Sequence, residues 1–230
     1  MAARSRLSRE LVLEAALHVV DHEGLGSLSM RRVADELGVE TMAIYRYTPS
    51  KDDLLDGLVE NLFIEVEEML GAATPPSPHP SPGPHGDAAL LWRETLLCIA
   101  QAMYRVAVAH PHVVPLVATR PFAVPLTRRP PAVLRAHERL LALLDTAGLD
   151  EETTLKIYRA FVSWVLGYIV IELREVVDNP DESDPAFRFG LHRLPVKEFP
   201  RLRSIGPALA ARGGEEQLTA GLDAILSRYF

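Results

Sequence analysis

The chain has 230 residues, of which 48% are hydrophobic and 24% are charged, and its formal net charge is −7. This composition excludes a wholly disordered chain, and the acidic balance argues against a nonspecific nucleic-acid or membrane binder. A single cysteine excludes an intrachain disulfide and a multi-cysteine zinc site. No run reaches the roughly 18 apolar residues of a membrane span, and no signal peptide is evident, so we expect a cytoplasmic protein with no membrane partner.

The 18 prolines are clustered and divide the chain. Six lie in residues 75–84 and six more in residues 111–131. Because proline lacks an amide donor and clashes inside a helix, we expect neither stretch to hold a long regular helix. Residues 71–87 are interpreted as a Pro-rich linker to a C-terminal domain at 88–230.

The remaining segments show the three- and four-residue apolar spacing of amphipathic helices. The first helix is predicted at 8–23, with Ser8 as its N-cap and Gly24 after its end. No window alternates apolar and polar residues as a strand does, so the predicted fold is all-α. Further helices are predicted near 29–37, 40–47, 51–70, 88–109, 131–147, 151–178, 196–210 and 215–229. In the helix predicted near 88–109, Cys98 lies in an apolar run, which predicts a buried and unreactive thiol.

Residues 28–47 have the spacing of a helix-turn-helix. Val33 and Leu37 are expected to face inward, and Gly38 can adopt the left-handed conformation that a tight turn needs. Ile44 buries the inner face of the second helix, whose other positions are expected to be exposed and to enter the DNA major groove. The spacing alone also fits helical domains that bind no DNA.

Residues 11–51 resemble the DNA-binding domain of the TetR family of one-component repressors. The resemblance rests on 12–17 with Gly24, and on 28–31, 33–39, 44–47 and 50–55. Residues 37–40 and Tyr45 are especially similar to the tetracycline-repressor branch. The resemblance implies a three-helix DNA-binding head at 1–56, joined to a helical body by the helix at 51–70.

The same resemblance implies which residues contact DNA. Arg31 matches a position that reaches a guanine, and Arg32 beside it is expected to contact a phosphate. Residues 40–43 match the base-reading stretch, but they depart from the tetracycline-repressor sequence, so the operator sequence does not carry over. The candidate DNA contacts are Arg31, Arg32, Glu40, Thr41, Met42, Ala43, Tyr45, Arg46, Tyr47 and Lys51.

The predicted head is itself acidic. Residues 1–56 contain seven Lys or Arg and ten Asp or Glu. We expect the cations to gather on the N-terminal arm and the reading helices, which would give a basic face on an acidic protein. Such a head would bind a specific site tightly, in a salt-sensitive manner, and other DNA weakly.

Residues 88–230 resemble, more loosely, the C-terminal domains of the tetracycline-repressor branch, which are helical, dimerise and enclose a small-molecule pocket. The resemblance rests on 110–116, 132–149 and 158–168. We expect a pocket among the helices near 88–109, 131–147 and 151–178, although aromatic and methionine side chains also serve as ordinary core. The candidate pocket residues are Trp92, Met103, Tyr104, His110, Phe122, Trp164 and Tyr168.

A dimer interface is predicted from the run at 161–171, which is apolar nearly all round and must be covered on every side. The last helix offers apolar positions at matching spacing. The predicted interface residues are Phe161, Val165, Gly167, Leu218, Leu222 and Ile225. A symmetric dimer would present one reading helix to each half of a palindrome.

The expected function is therefore that of a homodimeric transcriptional repressor that binds a palindromic operator and is released by a small-molecule inducer. No Gly-rich phosphate loop, Gly-x-Ser-x-Gly or His-Glu-x-x-His motif is present, so we expect no enzyme, and we predict no metal or cofactor. The alternative is a helical small-molecule binding protein or enzyme without DNA binding, and activation in place of repression also stays open.

Overall fold

The computed structural model describes residues 7–72, 86–178, 184, 187 and 190–229. Within these residues the chain is helical and contains no strand, which confirms the all-α prediction. The predicted linker at 71–87 falls largely on residues 73–85, outside the described part. The helices are α1 (Arg9–Glu23), α2 (Met30–Leu37), α3 (Thr41–Ile44), α4 (Lys51–Ala72), α5 (Gly86–Ala109), α6 (Val114–Ala123), α7 (Pro131–Thr146), α8 (Glu151–Asp178), α9 (Pro200–Ala210) and α10 (Gly214–Leu226).

Serine caps set the start of three N-terminal helices. The hydroxyls of Ser8, Ser29 and Ser50 accept hydrogen bonds of 3.2, 3.1 and 3.0 Å from the amide three residues later. Each cap satisfies an amide that has no partner within its helix. Gly38 ends α2 at φ +64° and ψ +36°, the left-handed conformation predicted for the turn.

Helix α6 was not predicted, because the proline cluster at 111–131 was expected to hold no long helix. It has ten residues, with Pro115 in its first turn and Pro121 near its end. A proline in the first turn costs nothing, since the amide there has no helical partner. The cluster therefore keeps α6 short without preventing it.

Two apolar cores hold the chain together. The first joins α1 to α4 through Val12, Val20, Ile44 and Leu58, and it continues into the body through Val113. The second lies among α5, α7, α8 and α10. The N-terminal helices are thus packed against the body, and α4 is the helix shared between the two parts.

Four residues predicted for the dimer interface lie in the second core instead. Phe161 is 1% exposed, and Val165, Leu218 and Leu222 are fully buried within one chain. These side chains face neighbouring helices of their own chain, because α8 packs directly on α10, so they present no surface to a partner. Gly167 and Ile225 keep partial exposure.

Cys98 also differs from its prediction, because its side chain is exposed. Helix α5 buries Leu96, Ile99 and Ala100. At helical spacing these three positions share a face, and Cys98 lies on the outer one. An apolar run four residues long could not reveal which of its members faces the solvent.

Helix α8 contains a segment, Glu151–Arg174, that is long and apolar enough to cross a membrane by length and composition. The expectation from the sequence concerned an unbroken run of roughly 18 apolar residues, and this segment is not such a run, because Lys156 and Arg159 interrupt it. Core helices satisfy the same criterion, and α8 buries every fourth residue from Ile157 to Leu173 against the body. Its packing accounts for this one apolar stripe, while 22% of its most apolar window is buried in all.

Gly57 lies where α4 packs against Leu13 of α1. A β-carbon built at Gly57 collides with the side chain of Leu13, a buried core residue of α1. Gly71 lies on the same helix, and a β-carbon there meets no atom within 4 Å. The two glycines therefore form a matched pair, one required by packing and one not.

We expect Gly57→Ala to lower the free energy of unfolding by about 1–2 kcal/mol, because overpacking outweighs the better helix propensity of alanine. Gly71→Ala should leave stability unchanged or raise it by up to about 1 kcal/mol. Urea unfolding at fixed protein concentration measures both. Equal effects of the two substitutions would show that Leu13 does not restrict this site.

Candidate DNA-binding surface and ligand cavity

The outer side of the helix-turn-helix forms a surface that we call the reading surface. Met42 is 74% exposed and Tyr45 is 42% exposed. Its three cations, Arg31, Arg46 and Lys51, make no ion pair with any described residue. Its members are Arg31, Glu40, Thr41, Met42, Ala43, Tyr45, Arg46 and Lys51, all exposed or partly exposed. A protruding methionine and tyrosine among available cations suit contact with base edges and phosphates.

The reading helix is shorter than predicted. It was expected over 40–47, but α3 ends at Ile44 and continues as a turn. The carbonyl of Ile44 accepts from the amides of both Tyr47 and Thr48, at 2.9 and 3.0 Å, which tightens the chain before Pro49. Tyr47 is consequently half-buried against the first core, so its predicted full exposure was wrong.

Arg32 was expected to contact a phosphate, but its guanidinium is occupied within the chain. Its Nη2 lies 2.5 Å from Glu23 Oε1 and 2.8 Å from Glu36 Oε2. These hydrogen bonds raise the pKa of Arg32 above its usual range. Arg32 therefore joins the end of α1 to α2. The Arg32 and Glu36 spacing of four residues is a sequence signal for such a pair.

The acidic residues at the start of α4 are also paired. Arg9 donates to Asp53 at 2.5 Å and to the carbonyl of Tyr47 at 2.9 Å. Arg120, on α6 of the body, donates to Asp56 at 2.7 Å and also contacts Asp52. Because Arg9 and Arg120 offset the charge of these carboxylates, the carboxylates lower the positive potential at the reading surface less than their number suggests.

His110 lies between the head and the body, not in the pocket where it was predicted. Its Nδ1 is 2.7 Å from Asp21 Oδ2 on α1, and its Nε2 is 3.1 Å from Glu65 Oε2 on α4. The hydrogen bond to Asp21 raises the pKa of His110, although burial opposes this shift. Because carboxylates only accept, both contacts together require the doubly protonated imidazolium. We call this group the junction cluster.

An apolar cavity lies among α4, α5, α6, α7 and α8. Its volume is about 50 Å³. Met103 lines it, as predicted for a pocket residue. The other lining residues include Phe63, Val66, Glu67, Leu70, Ile99, Val117, Pro121, Val133, His137, Arg139, Leu140, Phe161, Val162, Val165 and Leu166. Its apolar lining suits an apolar ligand, and the cavity must widen to hold a molecule larger than a few atoms.

Four aromatic residues predicted for the pocket have other roles. The indole of Trp164 donates to the carbonyl of Leu218 at 3.0 Å, and the hydroxyl of Tyr168 donates to the carbonyl of Gly214 at 2.7 Å. These two bonds tie α8 to α10. Tyr104 is buried with its hydroxyl 3.5 Å from Glu172 Oε1, and Trp92 is buried in the second core. The side chain of Phe122 lies outside the described residues.

The residues that were missed have a recognisable pattern. Phe63, Val66 and Leu70 follow at helical spacing on α4, which was interpreted only as a connection between domains. Val117 and Pro121 lie on the helix that the proline content obscured. Apolar spacing predicts that such helix faces are buried. It does not predict the cavity between them, because the cavity depends on how five helices cross.

Two family descriptions match the chain. "Bacterial regulatory proteins, tetR family" matches residues 12–58, and "Tetracyclin repressor-like, C-terminal domain" matches residues 85–227. An HTH-type transcriptional regulator of Saccharopolyspora erythraea is 28% identical over 203 residues, 88% of this chain and 76% of that protein. The HTH-type transcriptional repressor DrrR1 of Streptomyces coeruleorubidus is 32% identical over 71% of this chain, which spans about half (52%) of its length.

Solved structures share the fold. A possible TetR family regulator from Streptomyces coelicolor A3(2) superposes with TM-score 0.73 at 20% identity, covering 96% of this chain and 98% of that one. ActR of Streptomyces coelicolor, solved with actinorhodin, superposes with TM-score 0.67 at 24% identity, covering 99% of this chain and 95% of that one. BioQ, solved with its double-stranded DNA operator, superposes with TM-score 0.54 at 24% identity, covering 82% of this chain and 95% of that one. With both halves matched in order, the chain belongs to the TetR family of bacterial regulatory proteins.

Proposed function

We propose that this protein is a homodimeric transcriptional repressor that binds a palindromic operator and is released from it by a small-molecule inducer. One observation carries the proposal: α4 begins beside the reading surface at Lys51 and lines the cavity with Phe63, Val66 and Leu70. A single helix thus connects a surface suited to DNA with a cavity suited to a ligand. The names of the relatives, a regulator and a repressor, support it.

On DNA, the reading surface divides into base-reading and positioning residues. Arg31 donates to the O6 and N7 of a guanine, and Met42 with Ala43 packs on a thymine methyl. Tyr45, Arg46 and Lys51 hold backbone phosphates, which set the register without reading sequence. Arg32 acts indirectly, since its bonds to Glu23 and Glu36 hold α2 against α1. The BioQ structure with its DNA operator supports this use of the fold.

The proposed dimer uses the outward side of α8 in place of the residues buried in the second core. Ile171 is 77% exposed on this side. Gly167, about one turn before it, has no close contacts and permits a second helix to approach. An apolar face of this kind on a surface helix is costly in water, and a partner copy would cover it. Twofold pairing would then present two reading surfaces to the two halves of a palindrome.

The ligand would act through α6. Val117 and Pro121 of α6 line the cavity, while Arg120 of the same helix holds Asp52 and Asp56 at the head end of α4. A ligand that moves α6 would therefore also move the head. To weaken operator binding about 100-fold, it must favour the released conformation by about 2.7 kcal/mol. Actinorhodin bound to ActR supports a ligand site in this fold.

The competing function is a small-molecule binding protein or an enzyme that binds no DNA. Cytoplasmic location and the lack of catalysis belong to the proposal as well.

A promoter reporter separates repression from activation. Deletion of the regulator gene raises the reporter output if the protein is a repressor and lowers it if the protein is an activator.

The proposal predicts protection of a palindrome in footprinting of the DNA that flanks the gene. Arg31→Ala and Tyr45→Ala should each lower operator affinity about tenfold or more, as expected for a lost bidentate base contact or phosphate contact. Arg201→Ala, at an exposed position of α9, is the matched control and should leave affinity unchanged. If the purified protein protects no palindrome, or if Arg31→Ala binds like wild type, the proposed DNA binding fails.

For the dimer, we expect Ile171→Glu to shift the protein toward monomer in sedimentation experiments, because a charge would be buried at the interface. Leu126→Glu places the same charge at a 60% exposed leucine outside α8 and should leave the dimer intact. Dimerisation unaffected by Ile171→Glu would assign the interface to another surface.

The junction cluster predicts pH-dependent coupling between head and body. The raised pKa of His110 means that its stabilisation is full below the unfolded value of about 6.5 and is lost as pH rises through the folded value. A double-mutant cycle with His110→Asn and Asp21→Asn should give a coupling of about 1–3 kcal/mol near pH 6, decreasing toward pH 9. The measurement is urea unfolding at constant protein concentration, and a coupling that grows with pH would contradict the assignment.

A further inference from the structure

His137 is the residue of the cavity wall whose hydrogen bonding is incomplete. It lies on α7, and its Nδ1 is 2.8 Å from the hydroxyl of Tyr158 on α8. Its Nε2 is buried and has no hydrogen-bond partner among the described residues. The two nitrogens of an imidazole direct their hydrogen bonds to opposite sides of the ring, so Nε2 is free on the side away from Tyr158. A buried polar atom of this kind calls for a partner.

Both members of the His137 and Tyr158 pair are neutral. Burial lowers the pKa of His137, with nearby Arg129 acting in the same direction, and burial raises the pKa of Tyr158. A neutral imidazole donates through one nitrogen and accepts through the other. When Tyr158 donates to Nδ1, the proton of the ring lies on Nε2, which then donates. With the reverse tautomer, Nε2 accepts.

The charged residues of the cavity wall, Glu67 and Arg139, both keep contact with solvent. The rest of the wall is formed mainly by aliphatic and aromatic side chains, such as Phe63, Leu140 and Phe161. Glu67 is already bound by Arg135 at 3.0 Å. Arg129, the cation that acts on His137, is engaged within the chain, so a ligand carboxylate or ammonium group would lose its hydration without an unengaged counter-charge. A neutral ligand avoids this cost.

We propose that the cavity binds a neutral, largely apolar molecule carrying one carbonyl or hydroxyl oxygen, and that His137 Nε2 forms a hydrogen bond with this oxygen. The inference rests on the proposed function, in which this cavity is the inducer site, and it names the class of inducer and the residue that selects it. Tyr158 acts as a positioning residue, because it holds the ring through Nδ1.

Three neutral probes of similar shape test the proposal: naphthalene, 1-tetralone with a carbonyl, and 1-naphthol with a hydroxyl. Their dissociation constants are measured by calorimetry on the DNA-free protein. For each oxygenated probe, we divide the dissociation constant of naphthalene by that of the probe. This ratio removes most of the contribution that apolar contact makes to binding. We expect His137→Phe to lower this ratio at least about tenfold for one of them or both, while naphthalene binding changes less than about twofold. A response of 1-tetralone identifies Nε2 as the donor, and a response of 1-naphthol alone identifies it as the acceptor.

The control is His112→Phe, because His112 does not line the cavity, and its ratios should equal those of wild type. Unchanged ratios in His137→Phe, or no binding of any probe to wild type, overturn the proposal. If His137→Phe loses naphthalene binding as well, the variant His137→Gln is measured in its place, because its amide can still form a hydrogen bond. The proposal requires that His137→Gln retain naphthalene binding and a ratio above one-tenth of the wild-type ratio, and failure of either overturns it.

The probe results and the operator footprint are independent readouts. Palindrome protection without any His137-dependent preference overturns the ligand inference alone. His137-dependent probe binding without palindrome protection overturns the proposed DNA function and leaves the ligand class standing.

Discussion

Helix α4 is buried on two sides, and the rest of the molecule is arranged around it. Leu54 and Leu58 are fully buried with α1 and α3 in the head, while Phe63, Val66 and Leu70 form one wall of the cavity. Because the same 22-residue helix belongs to both parts, the head cannot reorient without a change in the packing around the cavity. Gly57 strengthens this constraint, since it brings α1 into direct contact with α4.

Charge pairing adds a second layer to this arrangement. Arg9, Arg32 and Arg120 each hold carboxylates of the head, and His110 joins Asp21 to Glu65. The arginine pairs are partly exposed, so each of them contributes little to stability by itself. Their effect is on the distribution of charge. With the carboxylates paired, Arg31, Arg46 and Lys51 remain available on the reading surface of a chain whose net charge is −7.

The candidate DNA-binding surface was largely predictable, whereas the cavity was not. The reading surface lies within one continuous segment, where local spacing decides which side chains face outward. The exceptions, Arg32 and Tyr47, depend on partners in other helices. For the cavity, Met103 alone was both predicted and observed among the side chains that the structure describes. Trp164 and Tyr168 were expected there because they are large and aromatic, but their polar atoms bind carbonyls of α10 and its start, which turns them away from the void.

The sequence by itself determined the helical class, the Ser8 cap, the glycine turn and the family to which the chain belongs, because these depend on short-range spacing and on residue types in order. Only the tertiary structure decided which apolar residues become core, which remain at the surface and which line a void. Phe161 and Ile171 illustrate the difference, since both lie in one apolar run of α8, yet the first is 1% exposed and the second 77%. The physical reason is that periodicity defines a helix face, whereas burial depends on what packs against that face.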